Sequence, residues 1–109
     1  MSRSDSVYLQ DIILAIDIIF EYIGDKTEFE FSKDLMVQDA VIRRFEIIGE
    51  AASRISEELK KNNPKVEWRL MKEMRNKLIH EYFGISTSTI YSTIKLDLPV
   101  LKEQLVLLS

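Results

Sequence analysis

The fold is decided by residues 37–59, which read VQDAVIRRFEIIGEAASRISEEL. Apolar side chains recur there every three or four residues, the spacing that brings them to one face of an α-helix. These positions are Val37, Val41, Phe45, Ile48, Ala52, Ile55 and Leu59. Residues 60–64, KKNNP, end the pattern, because basic residues favour a helix C-terminus and proline blocks its continuation. The stretch predicts one long helix whose apolar seam packs against another helix, within the subunit or across a dimer.

A second apolar stripe precedes this helix. It runs from Leu9 to Ile23, again with spacings of three and four residues, and the turn-forming residues 24–26, GDK, supply its stop. Between the two helices, Thr27 and Glu30 have the spacing of a capping box. A single short helical turn is therefore predicted between them.

The C-terminal half predicts further helices. One begins near Glu67–Trp68 and runs to about Tyr82. The polar residues 86–88, STS, can cap a fourth helix. Pro99 fits the first turn of a last short helix, with Asp97 as its possible cap.

Length and composition define the class of protein. The chain has 109 residues, one domain's worth, and no stretch alternates apolar and polar residues over the length of a strand. We expect residues 1–109 to form a single all-α domain, an antiparallel bundle of four to five helices. No apolar run approaches the roughly 18 residues of a membrane span, and residues 1–6 lack the features of an export signal. The cytoplasm is the expected location.

The charge balance restricts how the chain can bind other molecules. The formal net charge is −3, whereas proteins that hold nucleic acid by non-specific charge are normally basic, so any contact with nucleic acid must be local. With no cysteine and one histidine, the chain offers no zinc-ligand set. Glu46 and Glu50 are better explained by surface ion pairs with Arg43, Arg44 and Arg54 than by a metal. No metal or other cofactor is expected.

Residues 75–82, RNKLIHEY, contain the only histidine of the chain, His80. At about 100° per residue, His80 falls nearly opposite the apolar side of this helix, which argues against a core role and leaves an ordinary surface histidine as the alternative. Arg75 and His80 are about 140° apart on an ideal helix. They converge on one phosphate only if the helix distorts near His80 or if a second copy completes the cleft. A homodimer provides that second copy through two-fold symmetry.

These residue types suit the cleavage of RNA without a metal, because the substrate's own 2′-hydroxyl can serve as nucleophile. Histidine moves a proton near neutral pH, and the planar donors of arginine stabilise the charge that develops on the phosphate. Asn76, one turn before His80, could support the site by holding a ring nitrogen or a phosphate oxygen. Between Lys65 and Tyr82, five basic residues face three acidic ones, so the local charge is +2.

The chain resembles the HepT-like proteins of the HEPN superfamily. Residues 75–82 fit the R-x4-H-x-Y motif of that family, and the likeness extends to segments on both sides of the motif. These segments are 39–44 (DAVIRR), 47–51 (IIGEA), Trp68 ahead of 74–76 (MRN), and 97–101 (DLPVL). The motif alone is a weak indication of the family, but the motif, its flanking segments and the chain length together are a strong one. The likeness covers nearly the whole chain.

The resemblance implies a HEPN-like homodimer that acts as the toxin of a type VII HEPN/MNT toxin–antitoxin system and cleaves RNA, such as tRNA or mRNA. In that family the arginine and the histidine, here Arg75 and His80, are the catalytic pair. The motif tyrosine, here Tyr82, is where an MNT-type nucleotidyltransferase antitoxin attaches AMP, whose charge and bulk would block the RNA phosphate beside Arg75. The alternative is a non-catalytic dimeric partner, or a nucleotide-binding subunit, of a minimal nucleotidyltransferase.

Two residues outside the motif are uncommon: a glycine inside a predicted helix and the only tryptophan of the chain. Gly49 interrupts the long helix, where glycine costs about 1 kcal/mol relative to alanine, and so indicates a close approach to a facing helix or to the active groove. Trp68, the only tryptophan, is most simply a core or interface residue. A platform on which RNA bases stack is the alternative role for Trp68.

Overall fold

The computed structural model describes residues 1–80 and 86–109, with the side chains of all of these except 78–80. The described residues are helical almost throughout and contain no strand. The helices are α1 (Arg3–Ile23), α2 (Glu28–Lys33), α3 (Leu35–Arg54), α4 (Glu57–Asn62), α5 (Trp68–His80), α6 (Thr87–Ser92) and α7 (Leu98–Leu108), with a π-helical turn, Thr93–Asp97, joining α6 to α7. The prediction of an all-α fold is confirmed. None of the described helices has the length and apolar character that crossing a bilayer requires.

Helix α3 lies at the centre and packs against α1 on one side and α5 on the other. Its seam supplies much of the core: Val41, Phe45, Ile48 and Ala52 are all buried. The α1 stripe supplies buried residues as predicted, and the side chains of Met71 and Met74 contribute to the core from α5. Burial of this apolar surface is the main force that holds the three helices together.

The long helix predicted through residue 59 is interrupted. Ile55 has an extended backbone, and Ser56 caps the separate helix α4 by accepting a hydrogen bond from the Leu59 N–H. The buried carboxylate of Asp5 in α1 fixes this break, since it accepts hydrogen bonds from the Ser56 N–H (2.9 Å) and the Ser56 hydroxyl (2.6 Å). The apolar seam continues across the break because Ile55 is still buried.

The two C-terminal helices are continuous, contrary to prediction. Asp97 is helical and makes no capping hydrogen bond through its side chain, so its predicted role as a cap is wrong. The π-helical turn arises where Pro99 follows: proline has no N–H to offer the carbonyl four residues back, and the Leu98 N–H donates to Thr93, five residues back. Two other local predictions are confirmed, the Thr27 capping box and a cap before α6, which Ser86 provides.

Candidate active site

Helices α3 and α5 are in close contact where Gly49 faces Arg75. A methyl group built on Gly49 would lie 2.3 Å from the Cβ of Arg75 and 2.8 Å from its Cγ. These distances are far below the ordinary 3.5–4.0 Å carbon–carbon contact, so only glycine fits here. The prediction that Gly49 marks a close approach to a facing helix is confirmed, and the residue it admits is the motif arginine.

The guanidinium of Arg75 is held by Glu50, the residue after Gly49. Nη2 of Arg75 donates to Oε1 of Glu50 at 3.0 Å, and the two side chains are 29% and 53% exposed. An ion pair at this exposure contributes between about 0 and 1 kcal/mol to stability, so its main consequence is geometric. The aliphatic part of the Arg75 side chain packs on Gly49, and one nitrogen of its guanidinium is bound to Glu50. The direction of the guanidinium is therefore restricted, while its other N–H donors remain for a ligand.

The partner of Glu50 is not one of the arginines that the sequence predicts. Of the predicted surface pairs, Arg43 and Glu46 do interact, at 3.3 Å, but Glu50 reaches across to α5 instead of pairing along its own helix. The glycine beside Glu50 is the one signal in the sequence that another helix approaches at this point.

The other predicted site residues are described to different extents. Asn76 follows Arg75 on α5 and is exposed, available to a ligand. The backbone of His80 is the last residue of α5, but its side chain lies outside the described part, as does the whole of Tyr82. Because α5 is α-helical from Trp68 to His80, the Cα atoms of residues 75 and 80 are about 140° apart around its axis.

A cationic cleft adjoins Arg75, bounded by the end of α3, by α4 and by α5. Its volume is about 390 Å³. The charged and aromatic residues that line it are Lys60, Arg69, Lys72, Arg75, Glu57 and Trp68. Four cations against one carboxylate give its lining a formal charge of +3, although the whole chain has −3. Among the residues that the structure describes, no group of three or more histidine, cysteine, aspartate or glutamate side chains is placed to hold a metal.

Comparison with known proteins places the chain in a family. The profile of the family described as Ribonuclease HepT-like matches residues 12–108. A probable ribonuclease HepT from Thermococcus cleftensis is 44% identical over 102 residues, covering 94% of this chain and 93% of that protein. A candidate RNase from Methanocaldococcus jannaschii is 37% identical over 105 residues, 95% of this chain and 96% of that protein.

A longer protein from Methanocaldococcus jannaschii is also similar. Its name joins a gamma-glutamylcyclotransferase to a candidate RNase; it is 40% identical over 106 residues, which are 97% of this chain and 48% of that protein. No solved structure matches the chain. The match over residues 12–108 and the identities over most of two relatives show that the chain belongs to the HepT-like ribonuclease family.

Proposed function

We propose that the protein is a metal-independent endoribonuclease whose catalytic pair is Arg75 and His80. The observation that carries the proposal is the arginine itself: it is seated on Gly49, tied to Glu50 at 3.0 Å, and lines a cationic cleft. A guanidinium fixed in this way is organised to stabilise charge on a bound phosphate. Membership of a ribonuclease family makes the RNA backbone the natural source of that phosphate.

In the proposed reaction, the 2′-oxygen of the substrate attacks the adjacent phosphorus as the bond from phosphorus to the 5′-oxygen breaks. The imidazole of His80 accepts the proton of the 2′-hydroxyl and returns a proton to the leaving 5′-oxygen, so the protein ends unchanged. Arg75 donates hydrogen bonds to the phosphate oxygens as their charge increases. The products are a 2′,3′-cyclic phosphate and a 5′-hydroxyl. Asn76, exposed one turn before His80, supports the phosphate or the ring.

A homodimer brings the two catalytic groups together in this proposal. Within one subunit α5 is a regular helix through residue 80, which supports convergence across a two-fold axis over convergence by helix distortion. Each of the two catalytic sites of the dimer would then combine Arg75 of one subunit with His80 of the other. The whole chain, residues 1–109, acts as one domain in this arrangement.

Regulation is proposed to act on Tyr82. As the toxin of a type VII HEPN/MNT toxin–antitoxin system in the cytoplasm, the protein would receive AMP on this tyrosine from its nucleotidyltransferase antitoxin. The added phosphate would compete with RNA for Arg75. Mass spectrometry after co-expression with the adjacent nucleotidyltransferase tests this: a gain in units of AMP is expected for the native chain and none for Tyr82→Phe. The same gain on Tyr82→Phe would exclude this residue as the acceptor.

The activity itself is tested by RNA cleavage with EDTA present. The native protein should cleave, Arg75→Ala and His80→Ala should lose cleavage by at least about 100-fold, and the native products should end in cyclic phosphate. Arg43→Ala is the matched control, because Arg43 is also an arginine paired with a glutamate, at 3.3 Å, but is 68% exposed on α3. Equal cleavage by all four proteins would contradict the proposal. Absence of cleavage together with AMP transfer to Tyr82 would favour a non-catalytic partner instead.

A further inference from the structure

We infer that the cleft between α4 and α5 binds the stretch of single-stranded RNA next to the cleaved phosphate, with one base against Trp68 and a flanking phosphate on Lys72. The inference rests on the proposed function, since it takes RNA as the substrate. It adds a binding subsite beside Arg75 that positions the strand.

Four cationic side chains line the cleft. The residues that line it have a formal charge of +3, and the charge is still +1 when the carboxylates of Glu50 and Glu73, which pair with two of its arginines, are counted. The cleft is therefore positive in a chain of −3, as a site for a polyanion must be. Within the described part of the chain, Lys72 is exposed and has no carboxylate partner, whereas Arg69 is paired with Glu73 at 3.0 Å. Lys60 is likewise paired, with Glu57 at 3.8 Å. Among the described residues that line the cleft, Lys72 is therefore the cation that can bind a phosphate without first losing an ion pair.

Trp68 provides an aromatic ring in the lining of the cleft. Its indole N–H donates to the backbone carbonyl of Asn63 at 3.0 Å, which fixes one edge of the ring, and the side chain is only half-buried. A ring held by its edge and lining a cleft can be covered by a base at little entropic cost. Stacking of this kind accepts any base, as a strand-positioning subsite requires.

The position and size of the cleft also suit a subsite for the strand. Arg75 lines the same cleft, so a strand whose phosphate contacts Arg75 continues directly towards Lys72 and Trp68 on α5. The volume, about 390 Å³, lies at the lower end of the range for small-ligand sites and suits roughly one nucleotide. Helical spacing supports this path, because residues 68, 72 and 75 are three and four positions apart on one face of α5.

The single tryptophan makes the cleft directly observable. The test titrates the native protein with a short 2′-O-methyl oligoribonucleotide, which lacks the free 2′-hydroxyl and cannot be cleaved, and follows Trp68 fluorescence. We expect saturable quenching that weakens with salt. Lys72→Ala should weaken binding several-fold and make the plot of log affinity against log salt shallower by about 0.7, the value for one phosphate contact on a single strand. Lys95→Ala is the control, since that lysine lines a different depression beside α1.

Binding by the tryptophan variants is measured with a fluorescently labelled oligonucleotide. Trp68→Ala should weaken binding roughly 5- to 150-fold, whereas Trp68→Phe, which keeps an aromatic ring, should weaken it less. The phenylalanine variant thus separates the loss of stacking from misfolding. In cleavage assays Lys72→Ala should raise KM and leave kcat unchanged.

The outcomes separate this inference from the proposed function. Absence of quenching by the oligonucleotide, or equal affinity of Lys72→Ala and Lys95→Ala, overturns the subsite even if the protein cleaves RNA. Quenching by AMP as strong as by the oligonucleotide also overturns it, because the cleft would then be a mononucleotide site. Quenching with the expected response of the variants, in a protein that does not cleave RNA, supports the subsite and contradicts the catalytic proposal alone.

Discussion

Substitution of Gly49 by alanine is the sharpest test of how the arginine is positioned. The added methyl group would lie 2.3 Å from Cβ of Arg75 and 2.7 Å from its Cδ. Rotation of the arginine side chain relieves the second contact but not the first, because Cβ is bonded to the backbone. To restore an ordinary separation of about 3.5 Å, α3 and α5 must move apart locally by roughly 1 Å.

The expected effects on stability and on activity differ in size. Overpacking of this kind costs about 1–3 kcal/mol, while replacing a helical glycine by alanine recovers about 1 kcal/mol, so the free energy of unfolding should fall by about 0–2 kcal/mol. Misplacement of a catalytic group by about 1 Å lowers the rate roughly 100-fold. Gly49→Ala should therefore remain folded and lose most of its cleavage activity.

Urea unfolding and RNA cleavage measure the two effects, and Arg75→Gly supplies the matched background. The three atoms nearest the added methyl group all belong to Arg75, and glycine removes them. In the Arg75→Gly background, Gly49→Ala should thus be neutral or should stabilise by up to about 1 kcal/mol. If Gly49→Ala instead stabilises the native chain by about 1 kcal/mol and cleaves RNA normally, the close approach does not position the arginine.

Two further predictions concern carboxylates. Glu50→Ala should lower kcat at least about 10-fold and change the free energy of unfolding by no more than about 1 kcal/mol, because the ion pair orients Arg75 more than it stabilises the fold. Glu50→Gln, which keeps the acceptor, should retain most activity. The control is Glu46→Ala, which removes the ion pair with Arg43. Equal kcat for Glu50→Ala and Glu46→Ala would contradict this orienting role. The Ser56 hydroxyl and N–H lower the pKa of Asp5 below its ordinary 3.8, so the stability it provides is complete above that pH and is lost as pH falls through the lowered value. Asp5→Asn should be less stable than the native chain at neutral pH and show a smaller loss at acid pH in thermal unfolding; parallel pH profiles would contradict this role.

The sequence predicts what depends on local spacing. The α1 stripe, the seam of α3, the Thr27 capping box and the close approach at Gly49 follow from periodicity or from one residue's chemistry, and all four are present. The break at Ser56 does not follow, because its cause is Asp5, 51 residues earlier in the chain. Contacts between residues distant in sequence leave no local pattern.

The same reasoning explains the other differences. The partner of Glu50 is 25 residues away on another helix, while nearer arginines on its own helix offer the pairs that spacing alone suggests. Pro99 is typical of a helix start, and the sequence does not reveal that a π-helical turn lets the chain continue through it. The predicted roles of His80 and Tyr82 stay predictions that rest on the motif and the family.

The claim that Arg75 and His80 act together across two subunits is tested most directly by mixed dimers. Arg75→Ala and His80→Ala subunits with different affinity tags are co-expressed, and dimers carrying both tags are isolated and assayed for RNA cleavage with EDTA present. Each parent is expected to be inactive. If each cleft takes its arginine from one subunit and its histidine from the other, a mixed dimer has one intact cleft of two, and about half of the native activity should return. Mixed dimers that form but remain as inactive as their parents would contradict the shared cleft.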